Sequence, residues 1–313
     1  MIYIGPALFV LLATSLLSVR AVRRVGLIGL VIALGLTALA TFAGVEVNGS
    51  SRWLRVAFLS IQPSEFLKPF FIISAAWLLS ESRRDPSVPG PALSAGICAL
   101  IVGLLAMQPD IGMATVILLV WGTMYFVTGM PMLLVAGLVG LTGMAGTAAY
   151  SMFDHVKKRV DTFLDPSAEN YQVDRALDAF QAGGWVGTGP GAGQVKHSVP
   201  DGHTDFIFAV TAEEFGAILC IAIIALFGIL VVRGMVRIRR EQDLFVVLGT
   251  VGILTLFGIQ SLINIGVNLK LLPAKGMTLP FISYGGSSLI SLSLCAGFLL
   301  ALTRSNSHSR GMS

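Results

Sequence analysis

Residues 205–232 read DFIFAVTAEEFGAILCIAIIALFGILVV and are followed by Arg233. From Phe215 to Val232 no residue carries a charge. A helix of that length rises about 27 Å, close to the thickness of a bilayer's hydrocarbon. The rest of the chain has the same character. Of 313 residues, 55% are hydrophobic and 12% are charged, against roughly 25% charged in an ordinary soluble domain. Mean hydropathy is +0.82. One soluble core cannot hide so much apolar surface, whereas lipid accepts it as solvent. Further apolar segments lie near 3–19, 26–45, 65–81, 92–107, 111–128, 132–151, 244–263 and 285–303. About nine transmembrane segments are therefore expected. No sheet-like alternation runs through them, and backbone groups in lipid must be satisfied internally, so helices are expected. The expected fold class is an all-α polytopic membrane protein.

Charge sorts the loops by side. The ends of the odd-numbered spans carry Arg20, Arg23 and Arg24; Arg83 and Arg84; Arg233, Arg237, Arg239 and Arg240; and Arg304 and Arg310. Only Glu81, Asp85, Glu241 and Asp243 stand among them. The positive-inside bias makes this face cytoplasmic. The net charge of +4 thus reflects topology and contact with anionic lipid, and nucleic acid is not an expected partner. No cation precedes the first apolar run and no small-residue cleavage site follows it, so it does not read as a signal peptide. This topology places Met1 outside and the C-terminus inside, which leads one to expect a further helix ahead of the first span. Cys98, Cys220 and Cys295 all fall within spans and read as packing residues. The four histidines lack zinc-type spacing, and no protein metal site is expected.

The unusual residues gather on the outer face, above all in a large extracytoplasmic loop, 152–204, and in shorter pieces at 46–64, 108–110 and 264–284. Asn48-Gly49 is a turn signal. Arg52, Trp53 and Arg55 read either as interfacial anchors or as a basic and aromatic rim for a phosphate-bearing lipid. Pro63 suits the first turn of a helix on which Glu65 and Lys68, three apart, can pair. Asp110 can cap the helix that follows it. Tyr171 to Ala182 forms a short amphipathic helix, with Val173, Leu177 and Phe180 at helical spacing. Six glycines between 183 and 193 make either a flexible turn or a place where backbone lies close to a ligand or another loop. They are not a Walker loop, since no Gly-Lys-Ser/Thr follows. Thr204 or Asp205 can cap the span that opens there. Glu213 and Glu214 lie roughly 12–13 Å further along the helix, where acids are costly unless paired or solvated. Lys68, Lys270, Lys275 and Arg52 are candidate partners.

Four runs are specific enough to carry a resemblance: RWLRVAFLSIQPSEFLKP (52–69), QPDIG (108–112), HTDFIFAVTAEEFG (203–216) and NLKLLPAKGMTLPFISYGGSS (268–288). They resemble the SEDS family (shape, elongation, division and sporulation), in the family's order and over nearly the whole chain. Lys275 to Tyr284 looks more like the cell-division members than the elongation members. The resemblance implies one membrane domain over 1–313 in a family with ten helices, the first absent from this chain. It also implies a lipid II-dependent peptidoglycan glycosyltransferase in the bacterial inner membrane at the division septum. Its expected partners are lipid II, a class B penicillin-binding protein and other division proteins. In such a transfer a sugar hydroxyl attacks an anomeric carbon that carries a polyprenyl diphosphate. The diphosphate is already a good leaving group, so one carboxylate base suffices, with positive charge to hold the departing group. Asp205 is the family-matched base. Arg52, Lys275 and Lys270 are expected to meet the diphosphate, Trp53 to stack on a sugar or orient the loop, and His203 and Glu214 to complete the substrate site. No tightly bound cofactor is implied, although Mg2+ suits phosphate oxygen. A lipid II flippase, or a scaffold without catalysis, are the alternative readings; buried acids also suit a transport path.

Overall fold

The structure is a computed structural model. It describes residues 2–47, 50–56, 59–129, 171–273 and 276–304, with scattered positions between 137 and 165. Helices α1 (Ile4–Ser15), α2 (Val19–Ala43), α3 (Pro63–Arg84), α4 (Gly90–Met107), α5 (Ile111–Val127), α7 (Ile207–Ile238), α8 (Leu244–Asn268) and α9 (Gly286–Arg304) occupy eight of the nine expected spans. The remaining expected span, 132–151, is described only at scattered helical positions. Five of these helices, α2, α4, α7, α8 and α9, are long and apolar enough to cross a membrane, while α1 and α5 are shorter apolar helices. Their outward faces are rich in large apolar side chains, such as Phe9 and Val31 at 73% and 71% exposure, a surface that suits lipid and not water.

The chain divides into two compact units. One comprises Met1–Gly129, Val231–Leu256 and Gly285–Ser313. Its most buried helix is α3, where Phe71, Ile72 and Ile73 are fully enclosed. Lipid gives little hydrophobic drive between helices, so close approach depends on small residues. Gly26 and Gly29 of α2 provide it: a Cβ on either would stand 2.3 Å from Ile73 or 2.4 Å from Phe70 of α3. Pro63 starts α3 as expected, and Glu65 and Lys68 form a buried pair at 2.7 Å. Pro69 lies inside the same helix and has no N–H to give the carbonyl four residues back, that of Glu65. Ser291 of α9 supplies the missing donor, its hydroxyl reaching Glu65 O at 2.7 Å.

Between α2 and α3 the chain forms an antiparallel meander, β1 (Val45–Val47), β2 (Ser50–Val56) and β3 (Leu59–Ile61). Trp53 pairs with Val45, and Arg55 with Ser60. The described spans are helical as expected, and this small sheet is an addition to the all-α class. It lies between spans, where pairing with a neighbouring strand satisfies the backbone as well as a helix does.

The second unit comprises Met130–Leu230 and Phe257–Tyr284. Helix α6, Tyr171–Gly183, is the amphipathic helix expected there. It buries Val173, Ala176 and Ala179 against Val199, Phe206, Ala209 and Val267. The expected single span from 205 is broken: α7 has non-helical backbone at Gly216, φ 79° and ψ 175°. The glycine-rich loop repairs the break. Thr188 N and Gly189 N donate to the carbonyls of Glu213 and Glu214 at 2.9 and 3.0 Å. On the other side of the break, Ala217 N and Ile218 N donate to Gly184 O and Trp185 O at 2.9 and 3.3 Å. The approach is so close that a Cβ on Gly187 would lie 2.3 Å from Glu214 O, and one on Gly216 2.3 Å from Trp185 O. Of the two readings left open for these glycines, close approach is the one realised.

Ser291→Ala tests the Pro69 repair. It leaves the buried Glu65 carbonyl without its donor, and a loss of about 1–3 kcal/mol is expected. Unfolding in mild detergent should show a lower midpoint, whereas Ser291→Thr, which keeps the hydroxyl, should retain most of the stability.

Candidate functional site

Helix α7 is entered through a turn built on Asp201, whose φ is 52°. The Asp201 carbonyl accepts from Thr204 N, Asp205 N and Phe206 N at 3.0, 3.0 and 3.2 Å. Three consecutive carbonyls just before the helix are then taken, each by a different donor. His203 O accepts from Tyr284 N at 2.9 Å. Thr204 O accepts from the Ser283 hydroxyl at 2.5 Å. Asp205 O accepts from both Asn264 Nδ2 and Asn268 Nδ2, at 2.8 and 3.0 Å.

The same side chains hold the segment after α8. Asn264 Nδ2 also donates to Met277 O at 2.6 Å. Gln260 Nε2 donates to the carbonyl and hydroxyl of Thr278 at 2.9 and 3.1 Å, and Ser283 Oγ accepts from Leu279 N at 2.7 Å. Asn268 contributes a cap to α7, its Oδ1 accepting from Ala209 N at 3.1 Å. The Asp205 carboxylate lies against the backbone of Gly276, where a Cβ would stand 2.9 Å from Asp205 Oδ2. This is a half-buried carboxylate on an over-determined backbone, facing a residue with no side chain. Such preorganisation lets a group act at a fixed place.

Gln260, Asn264 and Asn268 recur every fourth residue on α8 and are buried. Sequence reading passed over them as site residues, though a polar stripe at helical spacing within an apolar span was the available signal.

Other expected site residues are placed as follows. His203 is exposed beside the Tyr284 ring, centroids 6.1 Å apart. Lys270 Nζ pairs with Asp174 Oδ1 of α6 at 2.9 Å. Lys275 lies outside the described residues. Glu214 pairs with Lys196, a partner not foreseen. The buried Glu213 carboxylate accepts from Val195 N and Lys196 N, both at 2.7 Å. The two acids therefore anchor the short 3-10 turn Val195–Ser198, and the candidate partners Lys68, Lys270 and Arg52 are paired elsewhere.

Arg52 and Trp53, on β2, belong to the other compact unit. Arg52 donates to Gln108 O and Pro109 O at 2.9 and 2.7 Å and pairs with Asp110 at 3.4 Å. A phosphate contact through Arg52 would compete with all three. Asp110 caps α5 as expected, accepting from Met113 N at 3.1 Å.

Fold and site together define a polytopic helical membrane protein with a fixed carboxylate at the mouth of a broken span. A family model described as "Cell cycle protein", for FtsW, RodA and SpoVE, matches residues 1–308, and the chain belongs to that family. It is 42% identical over 306 residues to the probable peptidoglycan glycosyltransferase FtsW of Caulobacter vibrioides, spanning 97% of this chain and 78% of the relative. The protein of the same name from Pseudomonas fluorescens is 34% identical over 96% of this chain and 77% of its own. Among solved structures, a chain of a peptidoglycan synthase complex described for its coordination of polymerization and crosslinking superposes with a TM-score of 0.81 at 30% identity, covering 97% of this chain and 88% of that one. The rod shape determining protein RodA of Thermus thermophilus gives 0.69 at 28% identity, covering 97% and 85%.

Glu213→Ala strips two charge-assisted bonds from buried amides, each worth about 1.5–3 kcal/mol. The expected result is a lower unfolding midpoint together with faster proteolysis between residues 184 and 199, read by mass spectrometry of the fragments.

Proposed function

We propose that this chain is a peptidoglycan glycosyltransferase that polymerises lipid II into glycan strands at the division septum, with the Asp205 carboxylate as general base. The observation that carries the assignment of the base is the cradle. Four side chain and backbone donors fix the carbonyls of residues 203–205, and the carboxylate lies against Gly276. The names of the FtsW relatives support the reaction class.

In this reading the acceptor sugar hydroxyl loses its proton to Asp205 as its oxygen attacks the anomeric carbon of the donor. The bond from that carbon to the diphosphate oxygen breaks, the configuration inverts, and the polyprenyl diphosphate leaves with the electron pair. Lys270 and Lys275, on the segment that leads to Gly276, meet the departing charge. Among the described residues no three of His, Cys, Asp and Glu stand together as a metal site. A divalent cation would suit the diphosphate oxygens, since Mg2+ prefers phosphate oxygen and keeps most of its own water. A class B penicillin-binding protein that crosslinks the new strand is the proposed partner, supported by the synthase complex whose chain this one resembles. A transport reading drew on acids at membrane depth, but Glu213 and Glu214 are occupied in holding a loop.

The test is polymer formation in proteoliposomes holding the protein, its penicillin-binding partner, lipid II and Mg2+. Asp205→Asn should lower glycan synthesis at least about 100-fold while leaving the unfolding midpoint unchanged. Equal polymer from both proteins removes Asp205 as the base, and no polymer from either, with the partner bound, favours a flippase or a scaffold. Gly276→Ala pushes a methyl group onto Asp205 Oδ2, so the rate should drop at near-normal stability. A Gly276→Ala protein as active as the parent would show that the carboxylate position does not matter.

A further inference from the structure

The unit that contains α2 and α3 holds a cavity of about 480 Å³, on the arginine-rich face that the positive-inside bias makes cytoplasmic. Its walls include Arg20 and Arg23 of α2, Trp77, Ser80 and Arg84 of α3, and Asp243 just before α8. The proposed chemistry on the outer face uses none of them.

The charges around this cavity do not cancel locally. Arg84 is paired with Asp243 at 3.2 Å. Asp243 also caps α8, accepting from Phe245 N at 3.0 Å, while Glu241, another wall residue, accepts from Gln242 N and Asp243 N at 3.0 Å each. Arg20 and Arg23 have no carboxylate partner among the described residues. Arg23 instead sits over the Trp77 ring, 5.8 Å from its centroid. Both arginines lie in the opening turns of α2, which contain no acid. A helix N-terminus carries partial positive charge, so cations there are unfavourable unless an anion joins them.

The three arginines and two acids of the wall leave a net positive charge. Two guanidinium groups outside any ion pair among the described residues, an aromatic wall and the positive end of a helix, around a space of ligand size, are the elements of a phosphate site. The location favours a lipid over a soluble phosphate compound. Leu16 and Ile28, on either side of Arg20 and Arg23 in the chain, are 69% and 62% exposed, and in a membrane such side chains meet acyl chains.

We propose that this cavity binds the phosphodiester headgroup of an anionic membrane lipid, with Arg20 and Arg23 as the phosphate ligands. The assignment does not depend on the glycosyltransferase reading.

The test is native mass spectrometry of the full chain, released from nanodiscs that contain equal phosphatidylglycerol and phosphatidylcholine with matched acyl chains. The unmodified protein should retain phosphatidylglycerol preferentially. Arg20→Gln and Arg23→Gln should each weaken that retention roughly tenfold, the scale of one charge-assisted bond. Arg24→Gln removes the same charge from an exposed neighbour that does not line the cavity, and should leave retention within about twofold. Equal retention of both lipids by the unmodified protein overturns the proposal without recourse to any variant. So does an equal loss from Arg24→Gln, which would mean diffuse attraction to the membrane surface. Displacement of phosphatidylglycerol by millimolar inorganic phosphate would make the site one for free phosphate and also overturn the lipid assignment.

Discussion

A peptide group in hydrocarbon has no water to fall back on, and three departures from regular helix among the described residues are matched by a donor or acceptor from elsewhere. Pro69 deprives Glu65 O of its donor, and Ser291 provides one. Gly216 interrupts α7, and four backbone bonds from the loop at 184–189 bridge the gap. The turn before α7 leaves three carbonyls outside the helical ladder, and Tyr284, Ser283, Asn264 and Asn268 take them. The last of these repairs is the architecture of the candidate site. Asp205 is held in place because the backbone on which it stands has no unpaired alternative nearby.

The spans were legible because their signal is local: a run such as 215–232 declares itself by length and lack of charge. The helix at 171–183 was legible for a similar reason, its apolar residues recurring at helical spacing. The meander at 45–61 was not, since three short strands take their identity from pairing, and a run such as RWLRV reads equally well as an interfacial anchor. The break at Gly216 was not legible either. A glycine within a span is ordinary, and what turns this one into a break is a loop some thirty residues earlier in the chain.

The site divides in the same way. Asp205 drew notice as an acid at a membrane boundary in a run resembling a known family, and the structure gives it a defined setting. Its supports are less conspicuous. Asn264 and Asn268 are neutral, and they matter for the carbonyls they reach and not for any charge of their own. Lys196 was overlooked as the partner of Glu214 because it sits in a glycine-rich stretch whose return path onto α7 cannot be read from spacing. Arg52 shows what residue type leaves out: it suggested phosphate, and the partners the structure gives it are the backbone at 108–109 and Asp110.

The repaired break in α7 bears on what the sequence must encode. The 32 residues of Ile207–Ile238 hold one long uncharged run, 215–232, and Gly216 stands near its start, where length and composition alone mark no break. The groups that bridge it lie in the loop at 184–189, some thirty residues earlier in the chain. Bridging the break therefore requires that loop to meet α7 in three dimensions, which crossing a bilayer does not by itself require. Spanning the bilayer and forming the broken helix are therefore distinct requirements on the sequence: the first is met by the run at 215–232, while the second also needs glycines that lie outside it.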